Sequence, residues 1–252
     1  MRRTNPNLNV MMNAARKASR KLLRDFGEVE NLQVSSKSVS DFVTKADIKS
    51  EQIIKNELLQ SRPSYGWIGE ESGEIIGDDT TRRWIVDPLD GTTNFIHGIP
   101  HWAISIGLEH KKEIVSSVIY DPIRDEMFYA QKGEGAWLND KRLRVSDRTI
   151  FSDMLFATGI PYADNEHISN SLKEIESILP LCAGIRRNGS AALDLAYVAA
   201  GRFDGYWERG LKIWDIAAGV LIVKEAGGLI EELYKEESFY KSGNIICSNN
   251  KS

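Results

Sequence analysis

The stretch Trp84-Ile85-Val86-Asp87-Pro88-Leu89-Asp90-Gly91-Thr92-Thr93-Asn94-Phe95 decides how this chain is read. Trp84-Ile85-Val86 is a run of β-branched and aromatic residues, which pack well on a pleated surface, so a short buried strand is expected there. Pro88 has no N–H to give a central ladder, so the strand is expected to stop at it. Two carboxylates, Asp87 and Asp90, flank the turn, and Asp90 is suited to cap the helix start that Gly91-Thr92-Thr93 opens. A strand end of this kind aims carboxylates into a crevice beside exposed backbone N–H groups. Carboxylate oxygens bind hard cations and N–H groups at a helix start bind phosphate, so the stretch points to metal-dependent phosphate chemistry.

Upstream, Leu8, Met11, Met12, Ala15, Ala18, Leu22, Leu23 and Phe26 recur at helical spacing up to Gly27. Ser35-Ser36-Lys37-Ser38 reads as a loop. Ile48, Ile53, Ile54, Leu58 and Leu59 mark a second amphipathic helix that stops before Pro63. Tyr65-Gly66-Trp67-Ile68 is a second strand-like run that delivers acids, here Gly69-Glu70-Glu71-Ser72, and the polar segment from Gly73 to Thr81 reads as a loop. Downstream, 102–108, 114–120 and 126–130 alternate in the manner of strands joined by polar turns, an antiparallel meander. The second half alternates differently. Helical patterns at 166–179, 191–200 and 214–226 are interleaved with short strands at 185–187, 203–207, 229–230 and 245–246, which argues an α/β layer. One domain spanning 1–252 is expected, in two intimate halves of about 1–148 and 149–252.

The 252 residues suffice for a substantial core, and 42% hydrophobic with 27% charged residues is ordinary for a globular protein. A net charge of −4 gives no ground for a nucleic-acid or membrane surface, and no run is long enough to span a bilayer. Basic residues cluster locally at Arg16-Lys17-Arg20-Lys21-Arg24 and Lys141-Arg142-Arg144, the pattern of a solvated helix face and a loop. Cys182 and Cys247 form neither a CxxC nor a disulfide framework, so a reducing cytoplasm is the expected compartment.

Four acids, Glu70, Asp87, Asp90 and Asp215, each follow an apolar or aromatic run and so are expected at the mouth of a crevice. Singly, such acids are caps or turn residues. Together, with no neighbouring His or Cys, oxygen donors point to Mg²⁺ rather than Zn²⁺, and Asp87 is placed to serve two sites. His97 and His101 have the spacing of a helical zinc pair, but Gly98 and Pro100 between them argue against the helix. Gly133-Glu134-Gly135 is followed by no helix pattern, and neither a Walker A sequence nor a GxSxG elbow occurs.

Gly69-Glu70-Glu71-Ser72, the 87–95 block, Trp214-Asp215-Ile216-Ala217-Ala218-Gly219, Asp41 to Asp47 and Gly189 to Asp194 together resemble the inositol monophosphatase family. The likeness runs along nearly the whole chain and is strongest to its bacterial inositol-1-monophosphatase branch, through Arg186 to Gly201. The resemblance implies a layered αβαβα sandwich, commonly a homodimer, with two or three Mg²⁺ per site and sensitivity to Li⁺. It implies that Glu70, Asp87 and the Leu89 carbonyl hold one metal and Asp87, Asp90 and Asp215 a second. Glu70 would also reach a third through water. Thr92, supported by Asp47, would orient and deprotonate a metal-activated water. Gly91 and Thr92 N–H groups would receive the phosphate. Asp90, Ser190, Ala191 and Glu208 would contact sugar-like hydroxyls, with Ser190 standing where many members have Thr.

The expected activity is therefore Mg²⁺-dependent hydrolysis of a small polyol phosphate, foremost inositol 1-phosphate, by direct in-line water attack. Fructose 1,6-bisphosphate, 3′-phosphoadenosine 5′-phosphate and histidinol phosphate are rival substrates, because the acids read the phosphate and not the alcohol. Glu208 favours a hydroxyl-rich alcohol, since a carboxylate accepts hydrogen bonds from vicinal hydroxyls. A role on RNA or the transcription machinery is the rival from another class, resting only on the basic clusters.

Overall fold

The computed structural model describes residues 5–28, 34–38, 41–161, 165–234 and 238–250. Helix α1 (Pro6–Phe26) starts with Pro6, whose fixed φ suits a first turn, after Asn5 accepts the Asn7 N–H at 2.8 Å. Leu8, Met11, Ala14, Ala15, Ala18 and Leu22 form its buried stripe, at the three-and-four spacing of one helix face. That stripe packs with Ile54 and Leu58 of α2 (Lys45–Ser61) over one face of a large sheet.

The large sheet has eight strands: β3 (Tyr65–Gly69), β4 (Gly73–Ile75), β5 (Asp79–Asp90), β6 (Ala103–His110), β7 (Glu113–Asp121), β8 (Glu126–Gln131), β9 (Gly135–Leu138) and β10 (Lys141–Arg142). Their order is β10-β9-β8-β7-β6-β5-β3-β4, antiparallel except for the parallel β3/β5 pair. The expected meander is the run β6 to β9. Side chains alternate across the sheet. Trp84 and Val86 therefore enter the core with α1 and α2, while Ile85 enters the core on the opposite face, with α5 (Ala191–Ala199) and α6 (Ile213–Glu225). Asp87, two residues after Ile85, shares that second face. Parity alone turns it toward the second half of the chain.

The second half supplies a mixed five-stranded sheet in the order β12-β11-β13-β15-β14, built from β11 (Leu155–Thr158), β12 (Gly184–Arg186), β13 (Gly205–Glu208), β14 (Leu229–Glu232) and β15 (Ile245–Ser248). β11, β12 and β13 run parallel. The chain crosses from β11 to β12 through α4 (Asn165–Ile178), then back past β11 to β13 through α5. Crossovers of one hand running in opposite directions place their helices on opposite faces. Accordingly Phe156 and Trp207 pack with Ile175 and Ile178 of α4, whereas Ala157 and Tyr206 pack in the core of α5 and α6. The layers are α1/α2, eight strands, α5/α6, five strands and α4, the αβαβα sandwich that the sequence leads one to expect. Gly219 lets α6 lie against α5, because a Cβ there would come within 2.5 Å of Leu195.

Three local expectations are corrected. Residues 35–38 are not a loop but part of β1 (Val34–Ser38), paired antiparallel with β2 (Asp41–Thr44). The segment 73–81 contains β4 and the first residues of β5, paired along β3. The strand does not stop at Pro88 but runs to Asp90. What breaks there is the ladder to β6: Asp87 pairs with Ser105 and Asp90 with Ala103, with a register shift between them. Pro88 sits in that gap, where no N–H is required.

Candidate active site

The site forms where strand ends meet helix starts. α2 is opened by a capping box. Asp47 Oδ2 accepts the Thr44 N–H at 2.9 Å, and the Thr44 hydroxyl accepts N–H groups from Ala46 and Asp47. The box fixes Asp47, whose Oδ1 lies 2.9 Å from the Thr92 hydroxyl. That hydroxyl also stands 3.0 Å from the Leu89 carbonyl, and having one proton it donates to one of them at a time. Thus Asp47, Leu89 and Thr92 are brought together. Neighbouring α2 residues hold the turns: the Ser50 hydroxyl donates to the Pro88 carbonyl at 2.9 Å, and buried Glu51 accepts the Glu71 N–H at 2.8 Å. Gly69 leaves room for Glu51, whose carboxylate would lie 2.6 Å from a Cβ there.

Asp90 does not cap the helix that follows it. Helix α3 (Thr92–Ile96) starts one residue later, and Gly91 fills the cap position in the left-handed region with φ 95°. An L side chain is strained at that φ, and a Cβ would also sit 3.0 Å from the His101 carbonyl. Asp90 reaches instead across to α5. Its Oδ2 accepts the Ser190 hydroxyl at 2.5 Å and the Ala192 N–H at 2.7 Å, and the Ala191 N–H also favours its charged form. A carboxylate at a helix N-terminus meets orphan donors and the positive end of the dipole. Ser190, the N-cap of α5, and Ala191 are therefore joined to Asp90.

Asp215, in the first turn of α6, accepts the Lys212 N–H at 2.6 Å, and Ser105 of β6 donates to the Trp214 carbonyl at 3.2 Å. The start of α6 is thereby tied to the strand pair that carries Asp87. Glu70 follows directly on β3, with its N–H bonded to the Val86 carbonyl at 3.2 Å. Glu208 ends β13 on the face of Tyr206.

Electrostatics bind the acids into one group. Asp87 is held well above the usual carboxylate range, first by burial and then by the charges of Glu70, Asp90 and Asp215. Asp215 is likewise raised by burial, then by Asp90, Glu70 and Glu208. Burial lifts Asp90 to about 6 against the pull of its hydrogen bonds, and Glu208 to about 7 with Asp90 adding to the rise. Buried like charges raise one another's proton affinity until a cation neutralises them.

Among the described residues, no three His, Cys, Asp or Glu side chains stand ready-assembled around a metal position. Asp87 accepts the Leu89 N–H on Oδ1, Asp90 accepts the Ser190 hydroxyl and the Ala192 N–H on Oδ2, and Asp215 accepts the Lys212 N–H on Oδ2. The second oxygen of Asp87 and of Asp215 is open to another ligand. An all-oxygen set of mutually repelling carboxylates, Asp87 buried and Asp90 and Asp215 half-buried, is the donor chemistry that suits a hard divalent cation.

Several side chains that hold the site together are not among the site residues the sequence predicts. Asn94 is buried, and its Nδ2 donates to the carbonyls of His101 and Asn188, both at 2.8 Å. Asn188 in turn donates to buried Asp194 at 3.1 Å. This chain of amides fixes the loop before Ser190 against α3. Ser50 and Glu51 were hidden in an ordinary amphipathic helix, and only their full burial sets them apart.

The model of the inositol monophosphatase family matches residues 4–252. An inositol-1-monophosphatase of Rhizobium meliloti (strain 1021) is 53% identical over 96% of this chain and 91% of its own. A Nus factor SuhB of Pseudomonas aeruginosa is 44% identical over 98% of this chain and 92% of its own. The crystal structure of the extragenic suppressor protein suhB from Bartonella henselae superposes with a TM-score of 0.93 at 53% identity, covering 96% of this chain and 93% of that one. Fold, whole-length match and identity agree: the chain belongs to the inositol monophosphatase family and is a phosphatase.

Proposed function

We propose that this phosphatase hydrolyses inositol 1-phosphate, or a closely similar polyol phosphate, with Mg²⁺ held by Glu70, Asp87, the Leu89 carbonyl, Asp90 and Asp215. The observation that carries the reading is the group of acids from both halves of the chain, Asp87 buried and Glu70, Asp90 and Asp215 half-buried, which raise one another's proton affinity beside the Thr92–Asp47 pair. When bound, Mg²⁺ supplies charge neutralisation at the phosphate and leaving oxygen and lowers the pKa of water. The chain's own residues do the rest. Thr92 turns its hydroxyl oxygen toward the attacking water while its proton is held by Asp47 or the Leu89 carbonyl. Gly91 and Thr92 N–H groups receive the phosphate oxygens. Asp90, Ser190, Ala191 and Glu208 position the alcohol. No side chain here is an activated nucleophile, so water attacks directly.

A phosphate-release screen over inositol 1-phosphate, fructose 1,6-bisphosphate, histidinol phosphate and 3′-phosphoadenosine 5′-phosphate, with Mg²⁺ and with added Li⁺, tests this. Turnover of inositol 1-phosphate foremost, dependent on Mg²⁺ and inhibited by Li⁺, is expected. A preference for another ester reassigns the alcohol.

A second reading takes its support from the relative named Nus factor SuhB: a binding role on RNA or the transcription machinery. Arg16, Arg20 and Arg24 are exposed on α1, although Lys17 is paired with Glu57 and Lys21 with Asp25. Binding to RNA that weakens steeply with salt supports this role, and no affinity at low salt removes it. A homodimer in the cytoplasm is the expected working form, checked by light scattering and fractionation.

A further inference from the structure

Glu208 owes its position to two residues that have no part in the chemistry of the phosphate. β13 places Tyr206 and Glu208 on one face, two residues apart, while Trp207 points to the α4 side and donates its indole N–H to Glu174 at 3.0 Å. The Tyr206 ring is completely buried, and its hydroxyl donates to Glu208 Oε2 at 2.5 Å. The carboxylate lies over Gly159, just past the end of the neighbouring parallel strand β11. A Cβ at Gly159 would come within 1.9 Å of Glu208 Oε1 and Cδ and 2.1 Å of Oε2. Thr158 holds the two strand ends together, its hydroxyl donating to the Trp207 carbonyl at 2.8 Å.

These contacts have a consequence for selectivity. A glutamate has three rotatable bonds, and an acceptor that roams gives little discrimination, because ordering it on binding offsets the hydrogen bond gained. A phenol fixed in a core has its hydroxyl at one point in space. With one oxygen committed to that hydroxyl and the carboxyl plane resting where a side chain is missing, the second oxygen has a defined position. Burial drives the carboxyl toward protonation, whereas the phenol's hydrogen bond favours the charged, accepting form.

We propose that Tyr206 and Gly159 are positioning residues that fix Glu208 as the acceptor selecting hydroxyl-bearing alcohols among the phosphate esters this enzyme hydrolyses. The proposal rests on the reading of Glu208 as a contact for substrate hydroxyls, and the test separates the two. The quantity measured is the ratio of kcat/KM for inositol 1-phosphate to kcat/KM for p-nitrophenyl phosphate, which carries the phosphate but no hydroxyls.

Glu208→Ala is expected to lower the ratio about 10-fold or more, and Tyr206→Phe about 10-fold, mainly through KM for inositol 1-phosphate. Tyr206→Phe added to Glu208→Ala is expected to lower it no further, because the phenol acts through the carboxylate. Gly159→Ala, which displaces the carboxylate without touching the phenol, is expected to lower it as Tyr206→Phe does, and it decides the matter should the tyrosine variant fail to fold. An unchanged ratio in Glu208→Ala removes the reading of Glu208 and the proposal with it. A lowered ratio in Glu208→Ala with unchanged ratios in Tyr206→Phe and Gly159→Ala overturns the positioning role alone. Equal losses on both esters in Tyr206→Phe make the tyrosine structural and likewise overturn it.

Discussion

The two halves of the molecule contribute to the site in different ways. The first half delivers most of its groups from one short stretch, the end of β5 and the turn into α3, where Asp87, Leu89, Asp90, Gly91 and Thr92 fall within six residues, and adds Asp47 from α2 and Glu70 from just after β3. The second half delivers Ser190, Glu208 and Asp215 from a helix cap, a strand end and another helix start, each on a separate element. What joins them is packing: α5 and α6 fill the space between the sheets, and Asp90 is hydrogen-bonded to the start of α5. Contiguity suits chemistry common to every phosphate ester. Dispersion suits choosing the alcohol at Glu208, which is held by β11 and β13 and not by the turn, whereas Ser190 and Asp215 are tied to the acids of the turn itself. Ligands gather at the carboxyl ends of parallel strands where crossovers diverge. Gly159, Ser190 and Glu208 lie at or soon after the carboxyl ends of β11, β12 and β13.

Asp90 belongs to both halves, so its replacement tests the comparison most severely. Asp90→Asn keeps an oxygen for the Ala192 N–H but loses the charge. Phosphate release is expected to fall by about 10³-fold or more on any ester, with a melting temperature close to that of the parent. A variant with near-normal turnover would break the link between halves. Thr92→Val tests the first half alone: removing the hydroxyl that faces Asp47 and Leu89 is expected to lower kcat about 10²-fold on all esters alike, with Thr92→Ser retaining most of the activity. A loss confined to inositol 1-phosphate would move Thr92 to the alcohol side.

A smaller effect concerns the loop between α3 and β6. His101 is held down to about 4, by burial first and then by the Arg124 charge. Its Nε2 is buried without a hydrogen-bond partner among the described residues. The folded state therefore disfavours imidazolium, so its stability is complete above the unfolded pKa of about 6.5 and declines as pH falls from there toward 4. In His101→Gln the acid-side fall in melting temperature is expected to be shallower by a few degrees. An unchanged slope would assign acid lability to other groups.

The first half was the more legible in sequence for the same reason that it is contiguous. Strand, proline, paired acids and glycine lie within one window, and the helical spacing of Leu8 to Leu22 and of Ile54 and Leu58 matches the buried stripes. Local polarity misled at residues 35–38 and 73–81, where strands pair through backbone and carry no alternating pattern. Asp90 was misplaced as a cap for α3 because local reading credits it to the nearest helix, whereas its donors lie on α5, about a hundred positions on. Leu155–Thr158 gave no strand signal, being four residues long, and only its pairing on both sides defines β11. Family likeness supplied the roles proposed for Ser190 and Glu208. Nothing local marked Ser50, Glu51, Tyr206 or Gly159, whose importance arises from contacts made across the fold.

Asp215 of the second half and Asp87 and Asp90 of the first are proposed to act as one cation site. The most direct test is a Mg²⁺ titration of phosphate release from inositol 1-phosphate by metal-stripped enzyme and by Asp215→Asn, with Mg²⁺ binding followed by calorimetry. No release without a divalent cation, saturable recovery with Mg²⁺, and weakened binding together with lost turnover in the variant are expected. Full activity in chelator, or unchanged Mg²⁺ binding and turnover in Asp215→Asn, would contradict the shared site.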